Sequence, residues 1–309
     1  MRICLLCGGV GGARAALALL ENLPARQLTF VVNTGDDFQH LGLEIWPDWD
    51  TVVYTLAGVG DPARGWGRAD EGTRVMQELR RLGSEDWFHL GDRDVALHLH
   101  RSWALQQGHP PARVAEQIAA RFGLSCRVLR VTERSLETQF LLRDGRRMDF
   151  QTWFVRQQGQ PEVARVECGH GGGVNPEVLS VIADCDLLLL APSNPYLSVL
   201  PMLGVPEVAR AVRARAGASW AVSPLLGGKA VKGPLDRLLQ QLSPNHHGQQ
   251  AIVELYSDWV QRLLLPADEL KGLHSDRGLK LQPCRTRLSQ ARQRAEFVED
   301  LMAAWKAAV

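Results

Sequence analysis

Two stretches of this chain combine residue types suited to phosphoryl chemistry. The first is a glycine loop, Gly8-Gly9-Val10-Gly11-Gly12, and the second a carboxylate pair, Asp36-Asp37, followed by Asp48 and Asp50 in the next loop. Unhindered backbone N–H groups ahead of a helix N-terminus attract phosphate oxygens. Arg14, one turn further on, adds a guanidinium able to make charge-assisted hydrogen bonds. The pattern is not a dinucleotide fingerprint, because G-x-G-x-x-G anchored on Gly9 and Gly11 needs a glycine where Arg14 stands, and the Lys-Ser/Thr of a P-loop does not follow. Carboxylate oxygens suit Mg²⁺, which takes one or two from a protein and leaves its other positions to water and phosphate. Adjacent side chains on extended backbone diverge, so one of Asp36 and Asp37 is expected to face such an ion. A tight turn before a helix and a solvated Asp-Asp turn are the plain structural alternatives.

Other candidates carry less. Pro192-Ser193-Asn194-Pro195 lacks the glycines of a nucleophile elbow, so its hydroxyl and amide suit ligand hydrogen bonding instead. A second glycine loop, Leu225-Leu226-Gly227-Gly228-Lys229, follows Ser223-Pro224. Cys4 and Cys7 form C-x-x-C but flank leucines and have no second pair at zinc spacing; all six cysteines read as reduced, four of them in or beside apolar runs. His98 and His100 splay on a helix, and His246-His247 lies in a polar stretch. Trp46, Trp49, Trp66 and Trp87 with Phe88 crowd a loop-rich segment, which suggests a stacking surface for an aromatic ligand.

The elements that must position these groups read as a βαβ start. Arg2 to Cys7 is a short apolar run, Ala13 to Leu20 is rich in helix formers, and Leu28 to Val32 is a second apolar run ending at Asn33. A parallel sheet follows, with ligands expected at the carboxyl ends of its strands. Further strands are expected at Cys185 to Ala191 and Ser219 to Val222. Helices are expected at Glu71 to Leu82, Asp94 to Leu105, Pro111 to Phe122, Pro176 to Ala183, Gln249 to Leu265 and Arg292 to Ala308. Residues 126 to 168 read as an inserted hairpin layer turning at Asp144-Gly145. The fold class expected is a Rossmann-like α/β sheet flanked by helices, its core made of 1–40 and 170–309 and its helical and β cap of 41–169.

The chain has 309 residues, room for about two domains or one large α/β unit. Its 35 Lys+Arg and 34 Asp+Glu give a net charge of +1, which argues against nucleic acid as a partner. No apolar run approaches the ~20 residues that cross a bilayer, and the start lacks a signal-peptide core, so a cytoplasmic protein is expected.

The strings G-G-V-G-G-A-R, V-N-T-G-D-D, P-D-W-D-T-V-V-Y-T-L-A-G, W-F-H-L-G-D-R-D-V-A-L-H-L-H-R, A-P-S-N-P and V-S-P-L-L-G-G-K-A-V-K-G-P occur in the order of a known family. From Cys4 to about Asp268 the chain closely resembles the 2-phospho-L-lactate transferase (CofD) family of deazaflavin coenzyme F-420 biosynthesis. The resemblance implies transfer of a phospholactyl-type group, with a lactyl, enolpyruvyl or glyceryl unit, from a guanosine diphosphate-linked donor. The acceptor would be the 5′-hydroxyl of a deazariboflavin, the leaving group GMP, and the cofactor Mg²⁺. It further implies Asp36 as the leading metal ligand with Asp37 beside it, and Asp50 at the acceptor, orienting or deprotonating the hydroxyl. His89, where relatives carry Lys or Arg, would touch the deazaflavin. Gly8, Gly9, Gly11, Gly12, Arg14, Asn33, Ser193, Asn194, Gly227 and Gly228 would face the donor. Relatives tend to dimerise, so a homodimer is an expectation that no stretch marks. Regulatory nucleotide-sugar-binding proteins of the same superfamily share the first glycine loop and the Asp pair, and form the alternative reading.

Overall fold

The computed structural model describes residues 1–169, 172–243 and 245–308. β1 (Ile3–Cys7), α1 (Gly9–Asn22) and β2 (Leu28–Val32) form the first βαβ unit. A hairpin of β3 (Phe38–His40) and β4 (Leu43–Ile45) leads into α2 (Pro47–Leu56). α3 (Arg74–Arg81), α4 (Asp92–Gln106) and α5 (Pro111–Arg121) precede β5 (Arg127–Arg130). Next, β6 (Gln139–Leu142), β7 (Arg147–Asp149) and β8 (Val163–Glu167) make a separate antiparallel sheet, with Gly145 at the tight turn at φ +87°.

The chain re-enters the main layer through α6 (Pro176–Asp184), β9 (Leu187–Leu190), α7 (Leu200–Leu203), α8 (Pro206–Ala214) and β10 (Ser219–Val222). A two-residue ladder, β11 (Leu225–Leu226) and β12 (Lys229–Ala230), follows. α9 (Leu235–Leu242), α10 (Gly248–Tyr256), β13 (Arg262–Leu265), β14 (Lys280–Pro283) and α11 (Ala291–Lys306) complete the chain.

Seven strands form one sheet in the order β14-β13-β10-β9-β1-β2-β5, every pairing parallel. β1, β9 and β10 are buried at every position, as strands covered by helices on both faces must be. Alternation along β1 divides the core: Ile3, Leu5 and Cys7 join the cluster that holds α1 and α11, while Cys4 and Leu6 join the one containing α6, α8 and α10. Cys4 and Cys7 therefore belong to different cores, and C-x-x-C is a packing pattern here. From β1 the order runs one way through β2 and the other way through β9. The carboxyl ends of β1 and β9 thus flank the switch point where such sheets leave a crevice.

Three expectations change. The stretch 41–169 is not a cap apart from the sheet: β5 pairs with β2 from Thr29–Arg127 to Val32–Arg130, because its alternating buried positions, Val128 and Arg130, need a neighbour. The 170 boundary lies outside the described residues. Gln249 to Leu265 is not one helix: α10 stops at Tyr256, and Leu263-Leu264-Leu265, fully buried, is a strand ended by Pro266. The tryptophans are not one stacking surface, since Trp46 and Trp49 are core residues, whereas Trp66 is half exposed. Trp87 instead joins Phe38, His40 and Phe88 in edge-on and tilted contacts.

Candidate functional site

A cavity of about 400 Å³ opens at the switch point, within the range of small-molecule sites. Gly8, Gly9, Val10, Gly11, Arg14, Asp36, Asp48, Asn194 and Ser198 are among its polar walls, and Trp66, Phe150, Phe154 and Val231 among its apolar ones. The β1 loop and the β9 loop touch where these walls meet. A Cβ at Gly11 would lie 2.0 Å from the Pro192 carbonyl oxygen, and one at Gly8 would lie 2.2 Å from Asp48 Oδ2. Only glycine lets the backbone pass this close.

The glycine loop spends part of its donor capacity on the protein itself. Gly8 N–H donates to Ser193 Oγ (3.2 Å), which returns its proton to Gly8 O (2.8 Å), and Gly9 N–H donates to Asp48 Oδ1 (2.7 Å). Val10 and Gly11, whose N–H groups a first helical turn leaves unbonded, remain at the cavity wall. Gly12 lies behind it, where a Cβ would meet Ser193 Oγ and Cys7.

Four carboxylates approach this region, and their surroundings divide them. Asp36 and Asp48 line the cavity. Asp36 Oδ1 is buried with no hydrogen-bond partner among the described residues. Burial first, then the neighbouring charges of Asp48 and Asp37, push its carboxyl well above the usual range. Asp48 is also raised by burial, to about 6, and held from going higher by hydrogen bonds from Asn33, Gly9 and Ser198. Asn33 is wholly committed to this support: Nδ2 donates to Asp48 Oδ2 (2.9 Å) and Leu197 O (3.0 Å), and Oδ1 accepts from Gly35 N (2.9 Å).

The other two carboxylates end in buried guanidiniums. Asp37 lies 2.8 Å from Arg130 Nη1, with burial raising its carboxyl to about 7 against the pull of that arginine. Asp50 is clasped by both Nη atoms of Arg101, the Nη1 bond at 3.1 Å. The Arg101 guanidinium lies 4.2 Å and that of Arg130 3.7 Å from the centre of the Trp46 ring, so one indole stacks on both cations. His98 Nδ1 sits 3.2 Å from Arg101 Nη1, and burial together with that cation holds the imidazole neutral, its pKa near 2.

The sequence-derived residues therefore separate by placement. Asp36, Gly8, Gly9, Gly11, Arg14 and Asn194 come together around the cavity, and Asn194 Nδ2 is buried there without a partner among the described residues. Asp50 and Asp37, expected at the acceptor and the metal, are not on this wall; Asp48 is. The reason is helical: α2 begins at Pro47, and residues two apart on a helix point about 200° apart. Gly227 and Gly228, expected at the donor, give their N–H groups to Glu269 (2.7 and 2.9 Å), which also accepts from Gln249 (2.8 Å). His89 is exposed and off the cavity wall. In the L-G-D-R-D string beside it, Asp92 accepts from Val75 N (3.0 Å) at the start of α3 and Asp94 from Tyr54 Oη (2.8 Å). Residues that the sequence reading missed are Arg64, Ser198, Phe150, Phe154 and Lys232, the last inside the V-K-G-P string.

The residues fit a divalent cation in one respect: two buried carboxylates, one with an unpartnered oxygen among the described residues, share the cavity, and the charge of Asp48 adds to burial in raising the proton affinity of Asp36. Among the described residues no group of three or more His, Cys, Asp or Glu side chains is assembled for a metal, so an ion held by these two carboxylates would need water or phosphate for its remaining positions. No described helix is long and apolar enough to cross a membrane.

Comparison with known proteins gives a consistent outcome. The family model described as 2-phospho-L-lactate transferase CofD matches residues 3–277. A Thermobifida fusca protein named phosphoenolpyruvate transferase is 40% identical over 256 residues, 78% of this chain and 79% of its own. A Mycobacterium tuberculosis protein of the same name is 35% identical over 289 residues, 84% of this chain and 87% of its own. Among solved structures, a UPF0052 family protein from Bacillus halodurans aligns with a TM-score of 0.58 at 16% identity, over 91% of this chain and 92% of that one. That likeness is one of fold.

Proposed function

From the premise that this chain belongs to the CofD family of 2-phospho-L-lactate transferases, we propose the reaction its cavity performs. A three-carbon acid carried as its phosphate on a guanosine diphosphate donor is transferred to the 5′-hydroxyl of a deazaflavin, with release of GMP. The observation that carries this reading is the meeting of Asp36 and Asp48 with the α1 N-terminus in one cavity at the switch point. Displacement at phosphorus asks for positioning and charge neutralisation more than covalent help. Mg²⁺, held by Asp36 and Asp48, would neutralise charge developing on the transferred phosphoryl group.

The chain's own residues do the rest. Val10 and Gly11 N–H groups and the Asn194 amide offer donors to phosphate oxygens. Asn33, Gly9 and Ser198 fix the Asp48 carboxylate. The incoming hydroxyl would be oriented against the wall that Asp36 and Asp48 form in the cavity. The apolar wall of Trp66, Phe150 and Phe154 suits a flat ring, and Phe150 and Phe154 already stack at 5.4 Å and 11°.

The test is titration with the deazaflavin, followed by Mg²⁺ and guanylylated donors differing in the three-carbon unit, with GMP release as the signal. GMP release that needs the acceptor establishes the reaction, and the preferred donor identifies the unit. Absence of deazaflavin binding together with tight binding of a nucleotide-sugar would replace this reading with a regulatory one.

A further inference from the structure

The cavity carries a second group of charges that the carboxylates do not explain. Arg14, Arg64 and Lys232 all line it. Val10 and Arg14 are four residues apart on α1 and so share one face. Above Val10 sits the 61–66 loop: a Cβ at Gly65 would lie 2.8 Å from Val10 Cγ1 and 3.2 Å from Lys232 Nζ. Lys232 Nζ reaches across from the segment after β12 and donates to Ala63 O (3.2 Å) and to Arg64 O. In that loop, Arg64 pairs with Asp61 (2.7 Å) and lies 5.1 Å from the centre of the Trp66 ring. Arg14 makes no hydrogen bond or ion pair among the described residues. Arg14 and Lys232 both lose proton affinity first to partial burial; the next cause is the charge of Arg294 for Arg14 and the charge of Arg14 for Lys232.

An exposed lysine gains little by capping two carbonyls in water, and two cations brought near one another gain nothing without an anion. A nucleoside diphosphate bearing an acid is polyanionic, and it cannot rest its oxyanions on Asp36 and Asp48 directly. Compensating charge has to come from elsewhere in the same cavity. We propose that Arg14 and Lys232 form an oxyanion subsite, one helical turn along α1 from the glycine loop, which holds a phosphate or carboxylate of the donor beneath the 61–66 loop. The subsite rests on the transferase reading for the donor's identity, but its binding chemistry requires only an anionic nucleotide. Because Lys232 also holds the loop that carries Trp66, occupancy and loop position are linked.

Calorimetric titration with GDP, which has phosphates and no carboxylate, is compared with the KM of the three-carbon donor in wild type, Lys232→Met, Lys232→Arg and Arg14→Gln. Loss of one charge-assisted contact should weaken binding about tenfold or more, and Lys232→Arg should stay close to wild type. Weaker GDP binding in Lys232→Met and Arg14→Gln assigns the subsite to phosphate. Unchanged GDP binding with a raised donor KM assigns it to the carboxylate. If both quantities are unchanged in both variants, with circular dichroism showing an intact fold, the proposal is overturned. Weakened GDP binding in a protein that never binds deazaflavin would keep the subsite and reject the transferase reading.

Discussion

Asp36 and Asp48 differ from Asp37 and Asp50 in little that a sequence displays, since they are one and two residues apart, yet the fold gives them opposite surroundings. Asp50 is held by both Nη atoms of Arg101, and Asp37 lies 2.8 Å from Arg130 although neither of its oxygens makes a hydrogen bond among the described residues; both guanidiniums stack on Trp46. Asp36 and Asp48 are buried with no ion pair among the described residues, Asp48 held by neutral donors and Asp36 Oδ1 by none. A buried ion pair contributes little net stability but is costly to break. A buried carboxylate with no cation is costly as it stands, and it is kept where a ligand or metal supplies the charge. On this contrast Asp37 and Asp50 are expected to act as scaffold, and Asp36 and Asp48 as site residues.

The largest effect expected from this contrast is in turnover. Asp36→Asn should lower GMP release by about a hundredfold to a thousandfold and leave the thermal midpoint equal or higher, because an amide is cheaper to bury. Activity near wild type in a folded variant would remove Asp36 from the mechanism.

The reverse pattern is expected in the scaffold. Arg101→Met should cost roughly 3–5 kcal/mol of unfolding free energy by leaving Asp50 unpaired, read as a lowered urea midpoint at unchanged slope. The double variant Arg101→Met with Asp50→Asn should recover a large part of that loss. No recovery would show that Arg101 acts through its stacking on Trp46 rather than through its pair.

A smaller effect concerns pH. Burial raises the folded-state proton affinity of Asp48 to about 6 and of Asp37 to about 7, both from an unfolded value near 3.8. Carboxyls raised in this way contribute stability that is fully present below pH 3.8 and is lost as pH rises through the folded values. Between about pH 4 and 7 these two groups should therefore make the metal-free protein less stable with rising pH. Asp48→Asn should flatten the part below about pH 6, and saturating Mg²⁺ should do the same if Asp48 is a ligand. An unchanged slope in Asp48→Asn would place the titration elsewhere.

The sequence displayed what repeats along the backbone. The apolar runs of β1, β2, β9 and β10 and the glycine loop between β1 and α1 are local patterns; the runs are strands of the sheet and the loop lies at the carboxyl end of β1. The 2-phospho-L-lactate transferase family was legible in its ordered strings. What was not legible depends on contacts distant in sequence. Nothing near Asp50 reveals that Arg101 will clasp it, and nothing near Gly227 reveals that Glu269 will take its N–H. Lys280-Leu281-Gln282-Pro283 is too polar and too short to signal a strand, and becomes one only because β13 offers a neighbour. Arg130 reads as a surface residue until β5 is placed beside β2, which buries it against Trp46.

The edge position of β14 bears on what can be added to the sheet. An open sheet edge is a template on which another chain can add a strand, and this strand begins with exposed Lys280 and ends with exposed Pro283, which has no N–H to offer. At the opposite edge β5 begins with the exposed Arg127, which pairs with Glu177 of α6. Both borders of the seven-strand sheet thus carry charge, and one lacks a donor, so they resist fusion into a longer continuous sheet.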